Sequence, residues 1–182
     1  MASLYFIAVL PPEEESNQIT ELKHYCKSHF GSGHALKSPP HITLHMPFKW
    51  NDKKRAALDQ CLSQVATATD PFEVRLRDFD FFEPRVVFVD VIENPVLKQL
   101  QQQLAKQMRL DLSLFNADYK DRPFHPHVTI AFRDLKKPKF FEAKTHFSQQ
   151  ELSMNFEIRD LVLLKHDGKG WQVDQRFSFA IR

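Results

Sequence analysis

Two short runs of this sequence could do chemistry, and they repeat each other. Residues 40–44 read PHITL and residues 126–130 read PHVTI. Each gives proline, histidine, a β-branched residue, threonine and an aliphatic, in that order. On an extended strand successive side chains point to opposite faces. His41 and Thr43 therefore share one face, with Ile42 and Leu44 behind them. His127 and Thr129 share a face in the same way, backed by Val128 and Ile130. Each pair projects about 7 Å apart along its strand. Histidine, with an unperturbed pKa of about 6.5, can accept or donate a proton near neutrality. Threonine offers a neutral donor to a non-bridging phosphate oxygen. Two such strands across a cleft would place a base, an acid and two donors around one phosphodiester, with no metal required. One lone H-x-T among nine histidines would carry little weight, since a single histidine more often sits buried against backbone. Duplication, with proline ahead of each copy, argues against that reading.

The elements that must position these runs can be read from periodicity. Residues 4–10 form an apolar run typical of a buried strand. A helix is expected from 12 to about 30, with Ile19, Leu22, Cys26 and Phe30 at helical spacing and Gly31 closing it. The first H-x-T strand spans 39–48. Asn51 or Asp52 caps a second helix to about 69, which Asp70-Pro71 stops. Residues 72–79 alternate apolar and charged, and 85–92 is another strand, with Glu83-Pro84 in the turn between. Asn94-Pro95 opens a third helix carrying Leu97, Leu100, Leu104 and Met108. A loop over 111–122 leads to the second H-x-T strand. A polar, lysine-rich stretch follows. Strands at 156–165 and 171–181 then flank Asp167-Gly168, a hairpin-turn signal. Strands outnumber helices and many connections are hairpin-like. An α+β architecture with largely antiparallel sheets fits this order better than a doubly wound parallel one.

Composition narrows the function. The chain has 182 residues, 42% hydrophobic with 17 phenylalanines, enough for a sizeable core in one domain or two small lobes. Only four glycines are present, and neither GxxxxGK[ST] nor GxGxxG occurs, so ATP or a dinucleotide held by those motifs is not expected. A net charge of +2 permits an anionic ligand without demanding one. Cys26 and Cys61 fall on apolar helix faces and read as buried hydrophobes in a reducing compartment. The first apolar run is too short to span a membrane and lacks signal-peptide flanks, so a cytoplasmic protein is expected.

The paired runs resemble the H-x-T motifs of the two-histidine (2H) phosphoesterases, and most closely their 2′-5′ RNA ligase or RNA cyclic phosphodiesterase branch. The likeness extends over nearly the whole order of elements. It implies a bilobal, duplicated α+β fold, a single two-lobed domain over 1–182, with the H-x-T strands facing a central groove and helices outside. It implies opening of a 2′,3′-cyclic phosphate to a 2′-phosphomonoester, and in some members reversible joining of 2′-5′ RNA linkages without ATP. By position, His41 and His127 would be the acid–base pair, in either order, and Thr43 and Thr129 the phosphate holders. No cofactor or metal is implied. The partner would be an RNA end or a small cyclic-phosphate nucleotide, and a monomer is expected. A non-catalytic RNA- or nucleotide-binding module using the same cleft is the alternative.

Three further residues bear on substrate contact. His45 and His125 each lie two positions from a motif histidine, hence on its face if the strand stays extended. Groove-lining positions, plain surface positions and metal ligation are all open to them, although no matching carboxylate or cysteine accompanies either copy. Arg133 shares the face of His127 and Thr129 at the strand's end, where it could meet RNA phosphate or only solvent. Lysines 136, 137, 139 and 144 surround Phe140 and Phe141. That pattern suits single-stranded RNA, or equally a solvated helix with its phenylalanines in the core.

Overall fold

The computed structural model describes residues 1–116 and 123–180. Positions 117–122 of the expected loop and position 181 of the last strand lie outside the described residues. The chain runs β1 (Ala2–Val9), α1 (Glu13–Phe30), a 3-10 turn (His34–Lys37), β2 (Ile42–Asn51), a second 3-10 turn (Asp52–Lys54), α2 (Arg55–Thr67), β3 (Phe72–Phe82) and β4 (Val86–Val91). Then come α3 (Pro95–Leu112), β5 (His127–Ala131), α4 (Lys137–Phe147), β6 (Ser153–Ile158), β7 (Asp160–His166) and β8 (Trp171–Ser178).

Two four-stranded sheets result, in the orders β2-β1-β7-β8 and β5-β4-β3-β6. Every paired strand is antiparallel. The two halves repeat one plan. β1-α1-β2-α2 answers to β4-α3-β5-α4, and each H-x-T strand is the edge of its sheet, beside the strand that opened the unit. The fold is α+β, duplicated, as expected.

Local chemistry explains the helix limits. Three glutamates occupy the first turn of α1, favourable against the helix dipole. Gly31 at φ 70° ends it, its N–H reaching the Lys27 carbonyl while Ser32 reaches Cys26. The Asn94 side chain accepts from the Val96 and Leu97 N–H groups, and Pro95 follows in the first turn of α3. One core joins both sheets to all four helices. Leu44 and Ile130, the aliphatics that close the two motifs, are both fully buried in it. Truncating either to alanine would cost about 2–5 kcal/mol.

One open alternative is resolved and one expectation is corrected. The lysine-rich stretch is helix α4, with Phe140, Ala143 and Phe147 buried at helical spacing. The strand expected over 156–165 is two strands in different sheets, β6 and β7, with only Arg159 between them. The reason is legible in burial. Residues of β6 alternate, one face in and one out, whereas Leu161, Val162, Leu163 and Leu164 are buried in succession. β7 has a covered sheet face on either side: Leu161 and Leu163 join the main core, and Val162 and Leu164 a second cluster with Phe6, Ala8 and Leu10.

Candidate active site

The two motifs place their histidines in the same local geometry. His41 Nδ1 lies 2.7 Å from the carbonyl of Pro39, and His127 Nδ1 lies 2.7 Å from that of His125. A carbonyl can only accept, so each Nδ1 carries the proton and each neutral Nε2 keeps its lone pair. Each ring also packs on phenylalanine. Phe6 lies 4.8 Å from the His41 ring, and Phe82 and Phe88 lie 5.1 and 5.0 Å from that of His127. Burial lowers the pKa of both histidines. For His41 the value falls to about 4, pushed further by the charges of Lys23 and His127 and opposed by the Pro39 carbonyl. For His127 burial is opposed by the His125 carbonyl and by Asp90, while His125 adds to it. The charge of His127 is thus felt at His41. Thr43 and Thr129 follow on β2 and β5, half-buried, and neither hydroxyl has a protein partner among the described residues.

The other expected contacts fare differently, and one feature accounts for it. Thr43 stands opposite Ala8, but Ile7 stands opposite His45. Thr129 stands opposite Phe88, but Val87 opposite Ala131. Both H-x-T strands therefore carry one extra residue immediately after the threonine, a β-bulge that reverses the alternation beyond it. In consequence Leu44 and His45 are buried in succession, as are Ile130 and Ala131. His45 does not share the face of His41. It is 1% exposed, its Nδ1 on the Met46 carbonyl and its Nε2 buried without a hydrogen-bond partner.

Arg133 is likewise off the His127 face. β5 ends at Ala131, and Arg133 adopts φ 59° in a tight turn closed by Asp134 N–H to the Phe132 carbonyl. Its guanidinium lies over the Phe132 ring at 5.5 Å, and its charge is felt at His34 rather than at His41 or His127. His125 does stand beside His127, at 6.2 Å between rings, with Nε2 3.4 Å from Asp90. In the basic run Phe140 is in the core and Phe141 is exposed, Lys139 pairs with Glu142, and Lys144 pairs with Glu83.

A family model described as the 2′-5′ RNA ligase superfamily matches residues 11–170. An RNA 2′,3′-cyclic phosphodiesterase of Bacillus subtilis is 30% identical over 145 residues, covering 78% of this chain and 76% of that one. The chain belongs to the 2′-5′ RNA ligase superfamily. A Geobacillus kaustophilus protein named as a phosphoesterase is 27% identical over 176 residues, 95% of this chain and 94% of its own. Among solved structures, TT0787 of Thermus thermophilus superposes with a TM-score of 0.72 at 22% identity, over 97% of both chains. E. coli LigT complexed with 3′-AMP superposes at 0.71 and 19% identity, over the full length of both. These likenesses show the same fold.

This superfamily member, a phosphoesterase by kinship, holds its first motif in place with residues that the sequence reading passed over. Lys23, 1% exposed on α1, donates to the carbonyls of Ala35 and Ser38 in the loop that leads to His41. Burial pulls its pKa down to about 8. Asp134, just past β5, accepts from Ser32 Oγ and from the N–H groups of Gly33 and His34 at 2.8–3.0 Å. The tail of the second copy thereby clamps the approach to the first. Asp90, paired in register with His127, is the other omission. A lone carboxylate inside the apolar run VVFVDV was its visible signal. Lys23 had none, because only the folded loop supplies its two carbonyls.

Proposed function

We propose that this chain is a metal-independent phosphodiesterase that opens a 2′,3′-cyclic phosphate, on an RNA end or a small nucleotide, to a 2′-phosphomonoester. The observation that carries the reading is the pair of matched imidazoles, each anchored through Nδ1 to the carbonyl two residues before it. One Nε2 accepts a proton from water as the water oxygen bonds to phosphorus. The bond from phosphorus to the 3′ oxygen breaks, and the other imidazolium protonates that oxygen. Thr43 and Thr129 hydroxyls donate to the non-bridging oxygens, where charge develops. Lys23 disfavours protonation of His41, and Asp90 favours it at His127. Burial lowers both imidazoles, and at His127 the charge of His125 opposes what Asp90 favours, so either Nε2 can be the one that accepts. With a ribose 5′-hydroxyl in place of the attacking water, its oxygen bonding to phosphorus as the bond to the 3′ oxygen breaks, the same pair would serve the reversible 2′-5′ ligation that the family's name describes.

The test is a panel of nucleoside 2′,3′-cyclic phosphates, cyclic-phosphate-ended oligoribonucleotides and ADP-ribose 1″,2″-cyclic phosphate incubated in excess EDTA. Hydrolysis to the 2′-monoester supports the proposal. Binding without turnover of any of them would leave the cleft as a recognition module. Turnover that EDTA abolishes and zinc or manganese restores would assign the chemistry to a metal-bound hydroxide.

A further inference from the structure

The surroundings of the two histidines differ in charge, and this gives the groove a direction. Beside Pro39, between the loop leading to His41 and the turn from β7 to β8, lies a pocket of about 630 Å³. Lys23, Lys37 and Lys169 line it together with Thr20, Trp171 and Gln172, and no carboxylate does among the described residues. Lys37 and Lys169 are exposed, and Trp171 is half-buried. The turn's own carboxylate, Asp167, is occupied by the N–H groups of Lys169 and Gly170 and by Gln172. A Cβ added to Gly170 would stand 2.7 Å from the Lys37 carbonyl, so the turn and the loop close directly on each other and wall the pocket on that side.

Aromatic contacts connect this pocket to the catalytic candidates. Trp171 and Phe6 meet edge to face at 4.6 Å between ring centres, and Phe6 lies 4.8 Å from His41. On the His127 side the neighbouring pocket is smaller, about 270 Å³, and Asp90 and Glu93 line it with Lys98 and His125. The pocket on the His41 side therefore presents lysines with no carboxylate against them among the described residues, whereas two carboxylates offset Lys98 in the one beside His125.

We infer that the lysine-lined pocket is the subsite for the nucleotide next to the scissile phosphate, with Trp171 stacking its base and Lys37 and Lys169 holding the internucleotide phosphate. This rests on the cyclic phosphodiesterase reading and extends it: the preferred substrate is an oligoribonucleotide end rather than a mononucleotide. Base stacking on an aromatic ring beside a positively charged track is the recurring way single strands are held without sequence readout.

The experiment compares adenosine 2′,3′-cyclic phosphate with the dinucleotide ApA ending in a 2′,3′-cyclic phosphate, in wild type and in Lys37→Ala/Lys169→Ala. Wild type should favour the dinucleotide in kcat/KM. The double variant should lose about tenfold or more on the dinucleotide, keep its rate on the mononucleotide within about twofold, and show a flatter salt dependence for the dinucleotide. Equal losses on both substrates, or no loss on either, would overturn the subsite. If wild type turns over neither compound, the cyclic phosphodiesterase reading fails, and the pocket is judged by binding alone. In a Trp50→Phe background the sole remaining tryptophan is Trp171. Quenching by the dinucleotide, with an affinity that the lysine substitutions weaken about tenfold, sustains the subsite; no quenching removes it.

Discussion

The two H-x-T strands agree in how they set their histidine and threonine and differ in what lies around them. In both, the histidine bonds the carbonyl two residues earlier, the threonine follows two positions on, and a bulge turns the next residues into the core. Around His41 stand a buried lysine and a loop held by Lys23 and Asp134. Around His127 stand Asp90, His125 and two phenylalanines. The duplication supplies two interchangeable imidazoles. Burial lowers both, and the neighbouring charges differ: Lys23 lowers His41 further, whereas at His127 the charge of His125 lowers and Asp90 opposes it. In the proposed mechanism the repeated motif fixes which atoms face the substrate, and its unmatched neighbours decide what each does.

The largest expected effect comes from removing either member of the matched pair. His41→Ala and His127→Ala should each lower kcat/KM on the true cyclic substrate about 10²–10⁴-fold, with folding intact by circular dichroism. The double variant should be little worse than either single one, because the two act as a unit. One variant near wild-type rates would break the equivalence of the two copies. Thr43→Val and Thr129→Val should each cost less, about 10–100-fold, the worth of one hydrogen bond to a charged group. Similar losses for both would show that the phosphate is shared evenly.

Smaller effects probe the unlike surroundings. Lys23→Met removes a charge that depresses His41, so the lower of the two kinetic pKa values should rise. Asp90→Asn removes a charge that raises His127, so the upper one should fall. The pH dependence of kcat/KM reads both. Movement of both limbs equally in either variant would contradict the charge assignment. Smallest of all, His45→Leu replaces a core imidazole whose Nε2 has no partner. It should leave kcat/KM within about twofold and leave the melting temperature unchanged or higher, since an unsatisfied buried polar atom costs about 1–3 kcal/mol. A large loss of activity would return His45 to the groove.

The sequence carried the motif pair, the helix limits and the antiparallel order, because proline, glycine, asparagine and the 2- and 3.6-residue periods act locally. It did not carry the bulges. Nothing in PHITLHM or PHVTIAF marks the extra residue except two consecutive buried positions, Leu44-His45 and Ile130-Ala131, and burial is a tertiary property. Both misplaced side chains, His45 and Arg133, lie beyond a bulge. The change of sheet at Arg159 was hidden for a similar reason: a strand's neighbours, not its composition, decide which faces are covered. Lys23 acts on carbonyls that converge only once the loop after α1 has folded back on the helix, and Asp134 on N–H groups that reach it only once the two halves meet.

The measurement that tests the account most directly is kcat/KM for a cyclic phosphodiester against pH in excess EDTA. Activity requires one imidazole neutral and one protonated, so the profile is a bell centred between the two macroscopic values of the pair. Burial lowers both histidines, His41 to about 4. The centre should therefore lie on the acid side of 6.5, not at the neutral optimum that unperturbed histidines would give. The kcat profile should be shifted to higher pH, because a bound phosphate anion stabilises both imidazolium forms. A bell of kcat/KM below 6.5 that survives EDTA is the predicted result. A single limb rising only toward high pH, or activity lost with the chelator, would contradict the two-histidine account.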